Sequence, residues 1–160
     1  MTPLTRLVYI SRSSASGPQN FRGGIEPNAE KILLRSRVNN RKNGLTGVLC
    51  FGEGYFLQCL EGEEEPINKL LLKLKADPRH SHFTVRWQKP IKTRSFGSWE
   101  MKFVAVAGPM MKWLESLGYE RFDPFQFDAP MVECVLNFLG SVENGLNFGG
   151  ASDRRDQQRS

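Results

Sequence analysis

One polar residue interrupts an apolar pair of strands near the middle of the chain. The segment NGLTGVLCFGEGYFLQCLEG predicts strands at residues 45–51 and 55–60, joined by the GEG turn. Since side chains alternate between the two faces of a strand, Gln58 shares a face with Phe56 and Leu60. A buried amide without a partner costs about 1–3 kcal/mol. Gln58 is therefore expected either to bond the backbone or to face a ligand.

Other polar residues also fall on inward-facing stripes. Tyr9 shares a face with Leu7 in the first strand, residues 4–11. The helix predicted at residues 28–40 has an apolar stripe that is interrupted by Ser36 and Asn40. Each of these two has an ordinary explanation alone, because serine bonds the carbonyl one turn earlier and asparagine caps helix ends. Together they indicate a polar ligand beside the helix.

The order of predicted elements indicates the fold that positions these residues. A second helix begins at EGEEEP, where carboxylates meet the positive end of the helix dipole, and its apolar stripe ends before Asp77-Pro78. Strands follow at residues 83–89 and 99–107, and the last places Trp99, Met101 and Phe103 on one face. The resulting βαββαββ order predicts an α+β, ferredoxin-like sandwich with one five-stranded mixed sheet. The long loop at residues 13–27 carries no phosphate-binding pattern.

The chain is divided into one domain and an extension. Residues 1–107 form the predicted domain, and residues 108–148 contain two short helices, 109–117 and 130–142, around a loop rich in phenylalanine and tyrosine. In the second helix, Met131, Cys134, Val135 and Phe138 are at helical spacing. This extension is too small for a core of its own, so it should pack on the open sheet face or on another subunit. Residues 149–160 are polar and predicted to be disordered.

Composition limits the class of protein. The net charge of +5 permits contact with nucleic acid or acidic ligands without requiring it. The sequence has no apolar run long enough to span a bilayer and no signal peptide, which favours a soluble, cytoplasmic protein. The three cysteines lack metal-ligand spacing and are expected to be core residues in a reducing compartment. The cations of the first helix, Arg35, Arg37, Arg41 and Lys42, are predicted to form a solvated face, and His80 and His82 to lie in a surface turn.

Blocks spread over most of the predicted domain resemble one known family. RLVYIS, SRVNN, NGLTGVLCF, FLQCLEG, DPRH and RSFGSWEM, within residues 4–105, resemble the BLUF family of flavin-binding blue-light sensors in the family's order. The extension resembles the two-helix cap of short BLUF proteins of the cyanobacterial PixD type. The loop at residues 13–27 is longer than is usual in that family, which does not move Tyr9 or Asn40.

The resemblance implies a site between the two helices, with FAD favoured over FMN as the bound flavin. It makes Tyr9 and Gln58 the photoactive pair, and Trp99 and Met101 the relay on the last strand. The cofactor-binding residues that it implies are Ile32 and Leu71 at the ring faces, Ser36, Asn39 and Asn40 near the ring, and Lys73, Arg79 and His80 toward the ribityl and phosphate groups.

The resemblance also implies a mechanism without net reaction. Blue light would drive electron and proton movement from Tyr9 to the flavin, after which Gln58 rotates or changes tautomer and the absorption shifts to the red. The chain is then a sensor and not an enzyme. Because nothing after Gly108 looks like an effector domain, output is expected through a signalling partner or a homo-oligomer.

Two other functions fit parts of the sequence. Positive charge and aromatic residues on strands suit a ferredoxin-like nucleic-acid-binding module, but no RNP signature is present. A flavin-dependent redox enzyme would need a nucleophile or base beside a second pocket, and no residue set indicates one.

Overall fold

The computed structural model describes residues 3–14 and 27–142. Most of the predicted loop, residues 15–26, and the predicted tail, residues 149–160, lie outside the described residues. The elements are β1 Leu4–Ser13, α1 Pro27–Asn43, β2 Thr46–Gly52, β3 Tyr55–Glu63, α2 Glu64–Ala76, β4 His80–Ile91, β5 Lys102–Ala105, α3 Gly108–Ser116, a 3₁₀ helix Pro124–Gln126, and α4 Ala129–Ser141. The predicted βαββαββ order is confirmed.

The strands form one mixed sheet in the order β4-β1-β3-β2-β5. β1 pairs antiparallel with both β3 and β4, and β2 pairs antiparallel with β3 and parallel with β5. Helix α1 connects two strands that flank β3, and α2 connects two strands that flank β1. The predicted ferredoxin-like arrangement is therefore confirmed.

The sheet separates two hydrophobic cores. The α1/α2 core contains Leu7, Tyr9, Phe56 and Leu60 from the central strands, whereas the next residues along each strand face the other way. That opposite layer, the α3/α4 core, includes Val8, Ile10, Leu57 and Cys59 together with apolar residues of the extension. The extension thus packs on the open sheet face, which was one of the two arrangements expected. No helix among residues 3–14 and 27–142 has the length and apolarity to cross a membrane.

The β2–β3 hairpin turns tightly for a local reason. Glu53 and Gly54 have φ angles of 51° and 86°, the left-handed pair typical of two-residue hairpin turns. The Glu53 carboxylate also accepts a hydrogen bond from the Phe122 main-chain N–H, so the turn holds the extension. Phe122 and Phe127 are buried, so the predicted aromatic loop is mostly interior. Tyr119 is half-buried and Phe125 is exposed.

Some sequence expectations were wrong. β5 begins at Lys102, not at residue 99, because the chain turns before it: Trp99 N–H donates to Phe96 O at 3.2 Å. Strand alternation consequently fails for Trp99, which packs on the α3/α4 core while Met101 lies in the α1/α2 core. Cys134 is exposed, since α4 buries its neighbours Val135 and Met131 instead.

Candidate functional site

Two side chains from neighbouring strands meet in the α1/α2 core. Tyr9 and Gln58 are opposite each other in the β1–β3 register, and both are fully buried. The Tyr9 hydroxyl donates a hydrogen bond to Gln58 Oε1. Gln58 Nε2 lies 3.6 Å from the Met101 sulfur, a weak acceptor. The amide that lacked an obvious partner in the sequence therefore joins a phenol to the residue just before β5.

The Tyr9 ring is enclosed by other rings. Phe83 stacks on it with centroids 4.4 Å apart, and His80 approaches edge-on at 6.0 Å. Burial, with a smaller effect from the negative charge of Asp77, raises the pKa of the Tyr9 hydroxyl well above its ordinary value. The phenol is thus neutral at physiological pH and has the Gln58 amide as its hydrogen-bond acceptor.

His80 is part of this wall and not of a surface turn. It is buried, its Nδ1 lies 2.9 Å from Ser11 Oγ, and its Nε2 lies 2.6 Å from Leu74 O. Because a carbonyl only accepts, Nε2 carries a hydrogen and donates it to Leu74 O, and the Ser11 hydroxyl is the partner of Nδ1. His80 therefore links β1 to α2, and it does not line the cavity described below. His82, in contrast, is exposed as expected.

Three residues of α1 form hydrogen bonds with Glu100 and Met101, the two residues just before β5. Arg37 Nε donates to Met101 O at 3.0 Å, and Asn40 Nδ2 donates to Glu100 O at 2.6 Å. Arg41 binds the Glu100 carboxylate with two hydrogen bonds, at 3.0 and 2.9 Å. Arg37 is buried, so the expected solvated face was wrong for this arginine.

A buried carboxylate binds the chain a few residues before Met101. Glu61, at the end of β3, is fully buried and accepts hydrogen bonds from Arg6 Nε and Nη2 at 3.0 and 2.7 Å. It also accepts from the main-chain N–H groups of Ser95 and Phe96, at 3.0 and 2.8 Å. These bonds fix the approach to β5 and hence the position of Met101.

A cavity of about 390 Å³ lies between α1 and α2. This is within the roughly 300–1,000 Å³ typical of small-molecule sites. Five predicted residues line it: Ile32, Ser36, Asn39, Lys73 and Arg79. The neighbouring leucines of α2, Leu70 and Leu71, are both half-buried against the α1/α2 core, but Leu70 lines the cavity and the predicted Leu71 does not.

Asn40 presents an atom that needs a partner. It lies one helical turn after Ser36, which lines the cavity. Its side chain is fully buried, and among the described residues its Oδ1 makes no hydrogen bond. A buried acceptor left without a donor is costly, which is the signature expected where a ligand N–H belongs.

Sequence reasoning missed three residues of this region, although the signals for two were present. Arg37 follows Leu33 by four positions, so helical spacing puts it on the inward stripe. Glu61 follows Cys59 by two, so strand alternation puts it on a buried face. Lys102 is also buried, but it gave no such signal because a lysine on a strand is ordinarily solvated.

Comparison with known proteins identifies the family. The BLUF family model, described as sensors of blue-light using FAD, matches residues 4–102. The chain belongs to the BLUF family. The match confirms the resemblance of the sequence blocks, and it makes residues 4–102 a domain of the flavin-binding, blue-light-sensing family.

Relatives of this BLUF chain are similar over different extents. Photoactivated adenylate cyclase subunit beta of Euglena gracilis is 35% identical over 104 residues, a match covering 63% of this chain and 11% of that protein. The chain thus spans about a tenth of the length of this relative. The photo-activated structure of BlsA is 28% identical with a TM-score of 0.78, covering 90% of this chain and 99% of that one. The dark-state structure of the BLUF protein BlrB is 28% identical with a TM-score of 0.70, covering 88% and 98%.

The residues of this BLUF site suit a flavin. The isoalloxazine edge carries both donors and acceptors, and Asn40 Oδ1 is an acceptor without a donor. The cavity is lined by apolar Ile32 and Leu70 and by the cations Arg35, Lys73 and Arg79, which could bind phosphate. The Asp77 carboxylate lines it too and pairs with Arg79 at 3.3 Å. The shape and chemistry of the site therefore agree with the family assignment.

Proposed function

We propose that the chain holds FAD non-covalently between α1 and α2 and stores the absorption of a blue photon as a rearranged hydrogen bond at Gln58. The observation that carries this proposal is the buried connection from Tyr9 through Gln58 to Met101. It joins the one buried phenol of the described residues to the segment that leads into β5.

The binding residues follow from their placement. Asn40 and Gln58 would bond the ring edge with their amides, and Ile32 would contact the ring faces together with Leu70, which takes the place expected for Leu71. Ser36 and Asn39 would lie beside the ring. Binding of FAD rather than FMN is supported by the description of the family model, which names FAD, and the cations that line the cavity would bind the phosphate groups. These cations are Arg35, Lys73 and Arg79.

His80 has a different role in this proposal. Both of its ring nitrogens are occupied by Ser11 and Leu74. Its contribution would be to hold the Tyr9 ring and the end of α2 in place, and not to bind the phosphate groups directly. The resemblance implied that His80 lies toward the ribityl and phosphate groups, and the positioning role proposed here takes the place of that assignment.

The chemistry of the switch depends on Tyr9 and Gln58. The bound flavin supplies absorption of blue light and, when excited, the capacity to accept an electron and a proton. Because burial disfavours a charged phenolate, Tyr9 would give up an electron and its proton together, the proton along the hydrogen bond to the Gln58 amide, and would regain both when the dark state returns. Gln58 then rotates or changes tautomer, which alters its bonds to the flavin edge and to Met101. No covalent bond forms, and the tyrosine is restored.

We propose that output passes from Met101 through β5 to the extension, residues 108–148, and from there to a partner or a homo-oligomer. The BLUF region, residues 1–107, would act as the sensor and not as an enzyme. Leu117 and Phe125 are exposed apolar residues of the extension and support self-association. Light scattering after gel filtration should give a mass above one chain, and a monomer in both dark and light would exclude the oligomer.

The two other functions gain no support from the structure. A nucleic-acid-binding sheet presents its aromatic residues on an open face. Here the helices α1 and α2 cover one sheet face and the extension covers the other. A redox enzyme would need a second group of reactive residues beside the cavity, and its lining residues do not form one.

The test is the absorption spectrum before and after a blue flash. Tyr9→Phe and Gln58→Leu proteins should bind flavin but show no reversible red shift. Tyr55→Phe is the matched control, since Tyr55 is on β3 but packs on the opposite sheet face. It should shift as the unmodified protein does. A normal photocycle in Tyr9→Phe would overturn the mechanism.

A further inference from the structure

A buried lysine joins the start of β5 to the end of α4. Lys102 is 1% exposed. Its Nζ donates to Leu139 O at 2.8 Å and to Val142 O at 2.6 Å. The last carbonyls of a helix have no partner within the helix, and a positive charge there also meets the negative end of the helix dipole. Lys102 therefore caps α4 from the sheet.

The same ammonium contacts Trp99. Lys102 Nζ lies 4.4 Å from the centroid of the Trp99 ring, within the range of a cation–π interaction. Trp99 packs on the α3/α4 core. The lysine thus holds together three elements: the turn before β5, β5 itself and the C-terminal end of α4.

Lys102 is also the direct neighbour of the residue that Gln58 contacts. Met101 faces the α1/α2 core, and Lys102 faces the extension, because successive residues of an extended chain point to opposite faces. One peptide unit therefore separates the Gln58 contact from the α4 cap. A shift of that peptide toward one face moves the two side chains together.

We propose that Lys102 is the positioning residue that carries the light-induced change to the C-terminal end of α4. This inference rests on the proposed function of Tyr9 and Gln58. When the Gln58 contact with Met101 changes, the adjoining peptide moves, and Lys102 loosens its bonds to the α4 carbonyls. The output is then a change in the order of the last turn of α4.

The test compares amide hydrogen exchange of α4 in the flavin-loaded full chain, in the dark and under blue light. In the unmodified protein, amides of the last turn of α4 should exchange faster in the light. Lys102→Met should show the normal red shift, faster dark exchange at that turn by about tenfold, and no further change on illumination. A lysine of purely structural importance would change the dark exchange and leave the light-minus-dark difference intact.

Lys89→Met is the matched control. Lys89 also lies over a tryptophan, with Nζ 5.0 Å from the Trp87 centroid, and also reaches α4, through Glu133 at 3.4 Å. It extends from β4, which is not next to Met101 in the chain. Its light-minus-dark difference in α4 should equal that of the unmodified protein.

The outcomes separate the two proposals. Absence of a red shift in the unmodified protein would overturn the light-sensing mechanism itself. A normal red shift with an unchanged light response of α4 in Lys102→Met would overturn the role of Lys102 alone. If Lys102→Met does not fold, the ¹⁵N resonance of the Lys102 ammonium in the unmodified protein decides: it should shift on illumination, and a constant resonance would refute the proposal.

Discussion

Replacing Glu61 by glutamine should test how the segment before β5 is held. The carboxylate is fully buried, and four hydrogen bonds converge on it. Three donors approach Oε2, two from Arg6 and one from Ser95, while the Phe96 N–H approaches Oε1. In Glu61→Gln one oxygen becomes an NH₂ group that only donates.

The cost can be worked out from this geometry. If the glutamine oxygen takes the place of Oε2, it still accepts from Arg6 and Ser95. The amide NH₂ then faces the Phe96 N–H, and both of these buried donors lack an acceptor. Each unsatisfied group costs about 1–3 kcal/mol. The Arg6 guanidinium, whose side chain is 14% exposed, also loses its opposite charge. Removing one member of a buried ion pair costs about 3–5 kcal/mol, and we expect a destabilisation in that range.

Glu100→Gln provides the matched control. Its carboxylate binds Arg41 through the same two guanidinium nitrogens at similar distances, but the two side chains are 40% and 67% exposed. Solvent screens a pair so exposed, and its loss should destabilise the protein far less than the loss of the buried carboxylate does. Urea unfolding of both variants measures the free energies of unfolding. If Glu61→Gln costs no more than Glu100→Gln, the buried carboxylate does not anchor this segment.

Three further perturbations have defined outcomes. Burial raises the pKa of Tyr9, so above pH 10 the unfolded chain loses a proton that the folded chain keeps, and the free energy of unfolding falls as the pH rises. Because the unfolded tyrosine is only half ionised at pH 10, this group should lower the free energy of unfolding by about 1 kcal/mol between pH 10 and 11. Urea unfolding of Tyr9→Phe should show a loss smaller by that amount than the unmodified protein, and an equal loss would contradict the assignment. In Gly47→Ala the new Cβ would lie 2.1 Å from a main-chain oxygen of β3, which should cost about 1–3 kcal/mol or more, whereas in Gly108→Ala the new Cβ meets no atom within 4 Å. Equal melting temperatures of the two variants by circular dichroism would contradict this. Lys73→Gln with Arg79→Gln should raise the Kd for FAD by about tenfold or more and leave that for riboflavin unchanged, measured by quenching of flavin fluorescence; an equal loss for both ligands would argue against phosphate binding.

The spacing of apolar residues along the sequence predicted most of the fold, because a strand or helix with a buried face must place apolar residues at regular intervals. Each strand of the hairpin has one face in each core, so alternation at Phe56, Leu57 and Cys59 could be read directly from the sequence. Periodicity failed where tertiary bonds replaced regular structure. Trp99 is held by a turn and by Lys102, and neither leaves a period in the sequence.

The polar part of the site was predictable only for residues that lack an obvious local partner. Gln58 stood out because an amide is unusual among apolar strand residues. Arg37 was missed because an arginine on a helix is ordinarily solvated, and its partner Met101 O lies 64 residues away in the sequence. His80 was misplaced for the same reason, since Ser11 lies 69 residues away. Long-range partners of common polar residues leave no pattern in one sequence.

β5 is the strand of this sheet that a small change of hydrogen bonding can most easily move. It is four residues long and pairs with β2 alone, whereas β1 has ten residues and pairs on both sides. Fewer ladder bonds must therefore break for it to shift. Hydrogen bonds hold its start on both sheet faces. Arg37 of α1 donates to the Met101 carbonyl, and Lys102 donates to a carbonyl of α4. Because Gln58 contacts Met101 where these two attachments meet, we infer that a rearranged amide alters the balance between them and does not have to displace a rigid strand.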